Sequence, residues 1–333
     1  MKFSAARFLQ HMPVVSAVFC AALLPAAPGT VWADSGTAFA PVSAAVSVPP
    51  VSVSFETGIS LLAGTVREYV ERNGNTVSRL DWRMSGVPVL SAAGTASVWG
   101  AELSAGFSAA IPVKSGVMED FDFLLAQTSA ASHYSRHDLY TDRFADISVS
   151  AGWRARFGRF SVRPALGFRY RSVKWTAKDG YSQYPASGAW TGTEEKKAFS
   201  GSVISYGQVL RLPYFALEAS FEARREVGFS VNAAWYPYVI ADALDTHFLR
   251  STRFFDSMRG GFGVAAGGTM RLFNVRITLT YEYMSVRSGV SASSSTDYFY
   301  PVPIRSVTPG YDSSLWRAAI SYRWQRRVPA VSR

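Results

Sequence analysis

Cysteine is almost absent from this 333-residue chain. The one copy, Cys20, lies near the start, so the residues beyond it form neither a disulfide framework nor a thiolate metal site. Charge is scarce as well: Asp, Glu, Lys and Arg together make up 17%, against roughly 25% in an ordinary soluble domain. Long apolar runs are missing after residue 33, where no stretch reaches the ~18 consecutive apolar residues that a spanning helix needs. Yet hydrophobic residues reach 48% and aromatics 14%, which excludes intrinsic disorder. A chain this apolar, without a spanning helix, enters a membrane as strands or not at all.

The net charge is +10, from 34 Lys and Arg against 24 Asp and Glu. The basic residues stand singly between aromatics rather than in blocks, so no nucleic-acid partner is expected. Residues 1–33 read as a secretory signal peptide, with Lys2 and Arg7 at its start, an apolar core over Val14 to Leu24, and the small Ala33 at the cleavage position. Residues 34–51, rich in Ala, Ser, Pro and Val, read as a flexible lead-in.

From residue 52 the pattern has period two. Phe160, Val162, Pro164, Leu166 and Phe168 alternate with polar or small neighbours, as do Val275, Ile277, Leu279, Tyr281 and Tyr283. Phe215, Leu217, Ala219 and Phe221 lead into the tight turn Ala223 to Glu226, and Val227, Phe229, Val231, Ala233 and Trp235 run back, a hairpin pattern. Runs longer than ordinary strands, turns alternating short and long, and aromatics at strand ends together favour a membrane barrel over a soluble sandwich.

The expectation is an all-β fold: a transmembrane antiparallel up-and-down β-barrel of ten strands, with long extracellular loops and both termini periplasmic. The expected strands lie near 52–70, 76–99, 101–112, 141–157, 160–177, 199–222, 227–241, 251–272, 275–288 and 311–324. The barrel thus spans 52–324, a tail follows over 325–333, and the long connections fall near 71–75, 113–140, 178–198, 242–250 and 289–310.

Two of these connections carry candidate chemistry. Asp120 and Asp122, two residues apart, share a face of an extended segment, and adjacent carboxylates hold a proton or a water between them. Asp245 and His247 have the same spacing, which lets a carboxylate orient an imidazole and stabilise its cation. Each motif alone is more often a solvated turn than a site.

Together they resemble the omptins, ten-stranded outer-membrane endoproteases that set an Asp-x-Asp couple against an Asp-x-His dyad across a rim groove. Ser78-Arg79-Leu80-Asp81-Trp82, Ser135-Arg136-His137-Asp138 and Leu212-Pro213-Tyr214 resemble further motifs of that family. The resemblance implies hydrolysis without a covalent intermediate, next to or between basic residues, by water that His247 deprotonates, Asp245 orients through the imidazole, and Asp120 and Asp122 position. It also implies polypeptide substrates, no cofactor, an outer-membrane monomer of a Gram-negative-type bacterium, and an active site facing outside.

Glu68 matches the family glutamate that receives a basic side chain on the acyl side. The second acid of that pocket falls on Ala243, so neighbouring Asp242 is the candidate replacement, and Asp138 is the candidate for the other side of the bond. Where the family binds lipopolysaccharide, the expected contacts fall on Phe168, Tyr170, Ser172 and Val209, and only the aromatic is kept. Arg169, Arg171, Lys174 and Arg211 either meet anionic headgroups or line the barrel. The alternative function is a non-catalytic barrel acting as adhesin or small porin. A metal site on the three Asp and His247 fits less well, because calcium disfavours the imidazole and zinc sites use more His. No G-x-S-x-G elbow supports a serine hydrolase.

Overall fold

The computed structural model describes residues 51–125, 129–295 and 301–328. The expected leader, all but the last residue of the lead-in, and residues 329–333 of the expected tail lie outside the described residues.

Ten antiparallel strands close into a ring. β1 is Val51–Arg72, β2 is Asn75–Val98, β3 runs as Ala101–Ala110 then Val113–Asp122, β4 as His133–Trp153 then Ala155–Phe157, and β5 is Phe160–Gln183. β6 is Ser202–Glu222 and β7 runs as Val227–Tyr236 then Val239–His247. β8 runs as Thr252–Gly260 then Phe262–Leu272, β9 as Val275–Val286 then Gly289–Ser295, and β10 is Thr308–Val328. Each strand pairs with the next, and β10 returns to β1 in continuous register from Val51↔Val328 to Glu71↔Thr308. Closure leaves no edge strand to recruit another chain.

The period-two pattern sorts the two faces. Phe160, Leu166, Phe215, Leu217, Ile277 and Trp316 all point outward and are exposed. A continuous apolar girdle of this kind is untenable in water and is what lipid tails cover. Above the girdle the outward positions become charged, with Arg67, Arg83, Lys114 and Asp138 exposed there.

The inward face is filled in layers. Near the short turns Arg154 reaches Glu102 at 2.6 Å and Glu218 at 2.9 Å. Higher up, Arg171 of β5 crosses the barrel to Glu282 of β9 at 2.5 Å and also holds Asp146 at 2.9 Å, while Arg169 binds the same two acids. Arg169 and Arg171 therefore line the barrel, whereas Lys174 and Arg211 face out. Above these ions lies an aromatic floor: Trp82, Trp175 and Tyr206 stack with centroids 5.7 to 6.2 Å apart. A small porin needs an open lumen, and cross-barrel ion pairs under packed aromatics do not provide one.

The buried network is also a structural commitment, because without Arg171 the two carboxylates of Asp146 and Glu282 share the single guanidinium of Arg169 and one buried charge is left uncompensated. Arg171→Ala is expected to destabilise the barrel by about 3–5 kcal/mol. It should lower the temperature at which the folded form, run unheated on a denaturing gel, converts to the unfolded mobility. A transition unchanged from the parent would show that the pair contributes nothing.

At the lower end β10 continues through Val328, paired with Val51, rather than ending at Trp324. At the top, residues 113–122, 133–140 and 242–247, expected as loops, are strands. The reason is physical: above the lipid both faces of the wall are polar or mixed, so the alternation that marks a membrane strand disappears while backbone pairing continues. Gly64, with φ +135, allows β1 to pass close to Ser314, since a Cβ there would collide with that carbonyl oxygen.

Candidate active site

The upper wall brings the two sequence pairs to one end of the barrel, above the apolar girdle. Asp245 and His247 end β7, where odd-numbered residues face inward: Val239, Ala241, Ala243 and Asp245 are all buried. His247 Nε2 lies 2.6 Å from Asp245 Oδ2, and the imidazole packs edge-on to Phe254, 5.4 Å between centroids. With Nε2 engaged by the carboxylate, Nδ1 is the nitrogen left to face a reactant. A single 3-10 turn, Phe248–Arg250, follows, and Ser251 at φ 48 closes the short connection to β8.

Asp120 and Asp122 end β3. Asp120 lies between Leu80 of β2 and Ser135 of β4, and Asp122 between Ser78 and His133. The backbone N–H and hydroxyl of Ser132 both donate to the Asp122 carbonyl, pinning the chain where β4 begins. Oδ1 of Asp120 is sealed from solvent without a hydrogen-bond partner, and so is Oδ1 of Asp245.

The charges of these groups act on one another. Burial, then the charge of Asp122, raises the Asp120 carboxyl to about 7, with His247 pulling it down and Asp245 pushing it up. For His247, burial disfavours the cation, but the charge and hydrogen bond of Asp245 together with Asp120 outweigh it, so the imidazole sits above its ordinary value. Tyr184, whose ring packs edge-on to His133 at 4.8 Å, is raised by burial and then by Asp120 and Asp122.

Glu68 of β1 is buried on the same inner face, in register with Leu80 and Tyr311. Burial, then Asp245, Asp256 and Asp120, holds its carboxyl well above the usual range. The other two expected pocket acids lie elsewhere. Asp242 has the opposite parity to Asp245, points outward with its side chain 38% exposed, and is clamped by Arg211 at 2.6 Å and Arg259 at 2.7 Å. Asp138 is 40% exposed on the outer wall and bound to Lys114 at 2.6 Å. Both are corrected from pocket residues to outer-wall ion pairs, because neighbouring strand positions point to opposite faces.

One inner-face acid was not anticipated. Asp256 on β8 is buried and lies directly opposite Ala243. Burial raises its carboxyl to about 6, with Asp245 adding to the rise and a hydrogen bond with Ser291 opposing it. The signal was available in the sequence: a hairpin folded about residues 248–251 sets 256 against 243. Among the described residues, no group of three or more His, Cys, Asp or Glu is arranged to hold a metal ion.

Comparison with known proteins gives concordant results. The model of the omptin family matches residues 49–296. Outer membrane protease OmpP of Escherichia coli (strain K12) is 25% identical over 217 residues, which cover 62% of this chain and 67% of that protein. The crystal structure of outer membrane protease OmpT from Escherichia coli matches with a TM-score of 0.70 at 14% identity, covering 82% of this chain and 97% of that one. At that identity the structural likeness speaks for the fold.

Proposed function

Because the chain belongs to the omptin family and is thereby a protease of the Gram-negative outer membrane, we propose that it hydrolyses polypeptides next to or between basic residues. The site faces the cell exterior, the residues before 34 are removed on export, and the barrel acts as a monomer. The reacting water sits between His247 and the Asp120/Asp122 couple. His247 takes its proton as the water oxygen bonds to the scissile carbonyl carbon, and returns that proton to the amide nitrogen as the C–N bond breaks. Asp245 fixes the imidazole tautomer and stabilises the imidazolium formed in between. Asp120 and Asp122 hold the water and carry a shared proton.

The observations that carry this reading are the 2.6 Å Asp245–His247 contact and, at the same end of the barrel, an Asp120 oxygen that is buried and has no protein partner. A buried, unpartnered carboxylate oxygen costs free energy in the empty protein, and a positioned water or substrate group satisfies it. The test is incubation of the refolded barrel with dibasic fluorogenic peptides, with and without lipopolysaccharide. Cleavage at the basic pair is expected; intact peptides under both conditions would overturn the reading. Arg211 and Arg259 on the outer wall are already bonded to Asp242 and Lys174 also faces out; with most of the family's contacts absent, activation by lipopolysaccharide should be modest.

Glu68 gives a separate expectation for specificity. A charge-assisted hydrogen bond from a substrate cation contributes roughly 1.5–3 kcal/mol, so Glu68→Gln should lose about 10- to 100-fold on peptides with Arg or Lys at the acyl side, and less on neutral ones. Profiling a mixed peptide library before and after the substitution measures this, and an unchanged preference would remove Glu68 from the pocket.

A further inference from the structure

We propose that Asp256 is the second acid of the pocket that receives a basic side chain on the acyl side, acting with Glu68 and replacing the acid that the family pattern places at Ala243. This rests on the protease reading above and names the residue that sets its selectivity.

The position follows from register. Ala243 faces Asp256 on β8 and Gln208 on β6, and all three side chains point into the barrel and are buried. A carboxylate at 256 thus enters the same layer as one at 243 would, from the adjacent strand. Glu68 and Asp256 are within electrostatic reach, since Asp256 is among the charges that act on Glu68. Asp242, the neighbouring alternative, is turned out to Arg211 and Arg259.

The second argument is a contrast within the barrel. Deeper down, the buried acids Glu102, Asp146 and Glu282 all have arginine partners. Among the described residues neither Glu68 nor Asp256 takes part in an ion pair, although both are buried, and Oε2 of Glu68 has no hydrogen-bond partner. Buried carboxyls without a counter-charge resist ionising and are uncommon unless something else supplies the counter-charge. A cation arriving with the substrate supplies it.

The test uses three fluorogenic peptides that differ only in the acyl-side residue, Arg, Lys or Gln, with full-length barrels whose folding is checked by heat-dependent gel mobility. The parent should favour Arg and Lys over Gln in kcat/KM. Asp256→Asn should lower kcat/KM on the Arg peptide by about 10- to 100-fold, far more than on the Gln peptide. The exchange Ala243→Asp with Asp256→Ala should regain most of the lost Arg preference, a result no merely structural role predicts, and it decides the matter if Asp256→Asn fails to fold. An Arg-to-Gln ratio unchanged by Asp256→Asn, or not restored by the exchange, would overturn the assignment of Asp256 while leaving the protease intact. A parent that cleaves without favouring Arg or Lys would remove the pocket itself, and a parent that cleaves none of the three would remove the protease reading with it.

Discussion

His247→Ala should lower kcat by about 100- to 10,000-fold, the usual consequence of losing a general base, with much less effect on KM. The imidazole is the group placed to accept a proton: Asp245 holds Nε2 at 2.6 Å, which leaves Nδ1 for the water. The pH dependence separates this role from a structural one. Only the neutral imidazole takes a proton, and Asp245 and Asp120, against the effect of burial, keep it protonated to higher pH than a free histidine. The rate should therefore climb with pH through a value above the ordinary histidine range. Asp245→Asn removes the charge and the tautomer anchor together, so the acid limb should shift to lower pH while the plateau falls. A His247→Ala enzyme retaining parental turnover, or an acid limb that Asp245→Asn leaves in place, would sink the assignment.

The second large effect concerns Asp120, where function and stability should move in opposite directions. Asp120→Asn removes the member of the couple whose carboxyl burial and Asp122 hold at about 7, and kcat should fall by about 100-fold or more because the shared proton is lost. The same raised value means that the folded barrel binds this proton more tightly than the unfolded chain does. Its favourable contribution is complete below the ordinary carboxylate range and is lost as pH rises through about 7. The asparagine variant carries no such burden, so its unfolding temperature should exceed the parent's at pH 8 and the gap should close toward pH 4. Gel mobility after graded heating at the two pH values measures both. A variant less stable than the parent at pH 8 would show that Asp120 is held by contacts that the asparagine breaks.

The legibility of this chain follows the environment of each segment. Within the lipid the solvent on one face is hydrocarbon, so Phe215, Leu217, Phe229 and Val231 announce their strands by alternation, and all four are exposed on the outer wall. Above the lipid that signal vanishes. Residues 133–140 place His137 and Leu139 inward and Arg136 and Asp138 outward, an order that no hydropathy rule marks as strand. The catalytic candidates survived this loss because an i, i+2 pair faces one way on any extended segment. Asp138 and Asp242 did not, since assigning them to loops removed the parity that would have turned them outward. Asp256 was missed for a related reason: its partner Ala243 became visible only once β7 and β8 were aligned across their turn.

The ion pairs low in the barrel bear on who sets the protonation of the site. Arg154 with Glu102 and Glu218, and Arg171 with Asp146 and Glu282, occupy the lumen beneath the aromatic floor and separate the candidate site from the end with the short turns. With the site facing outward as proposed, Glu68, Asp120, His247 and Asp256 would exchange protons with the medium outside the cell rather than with the periplasm. Where His247 must lose its proton to act, acidifying the surroundings should slow the enzyme directly and neutralising them should restore it. On the proposed mechanism the protease would be a gauge of the acidity of whatever its bacterium touches.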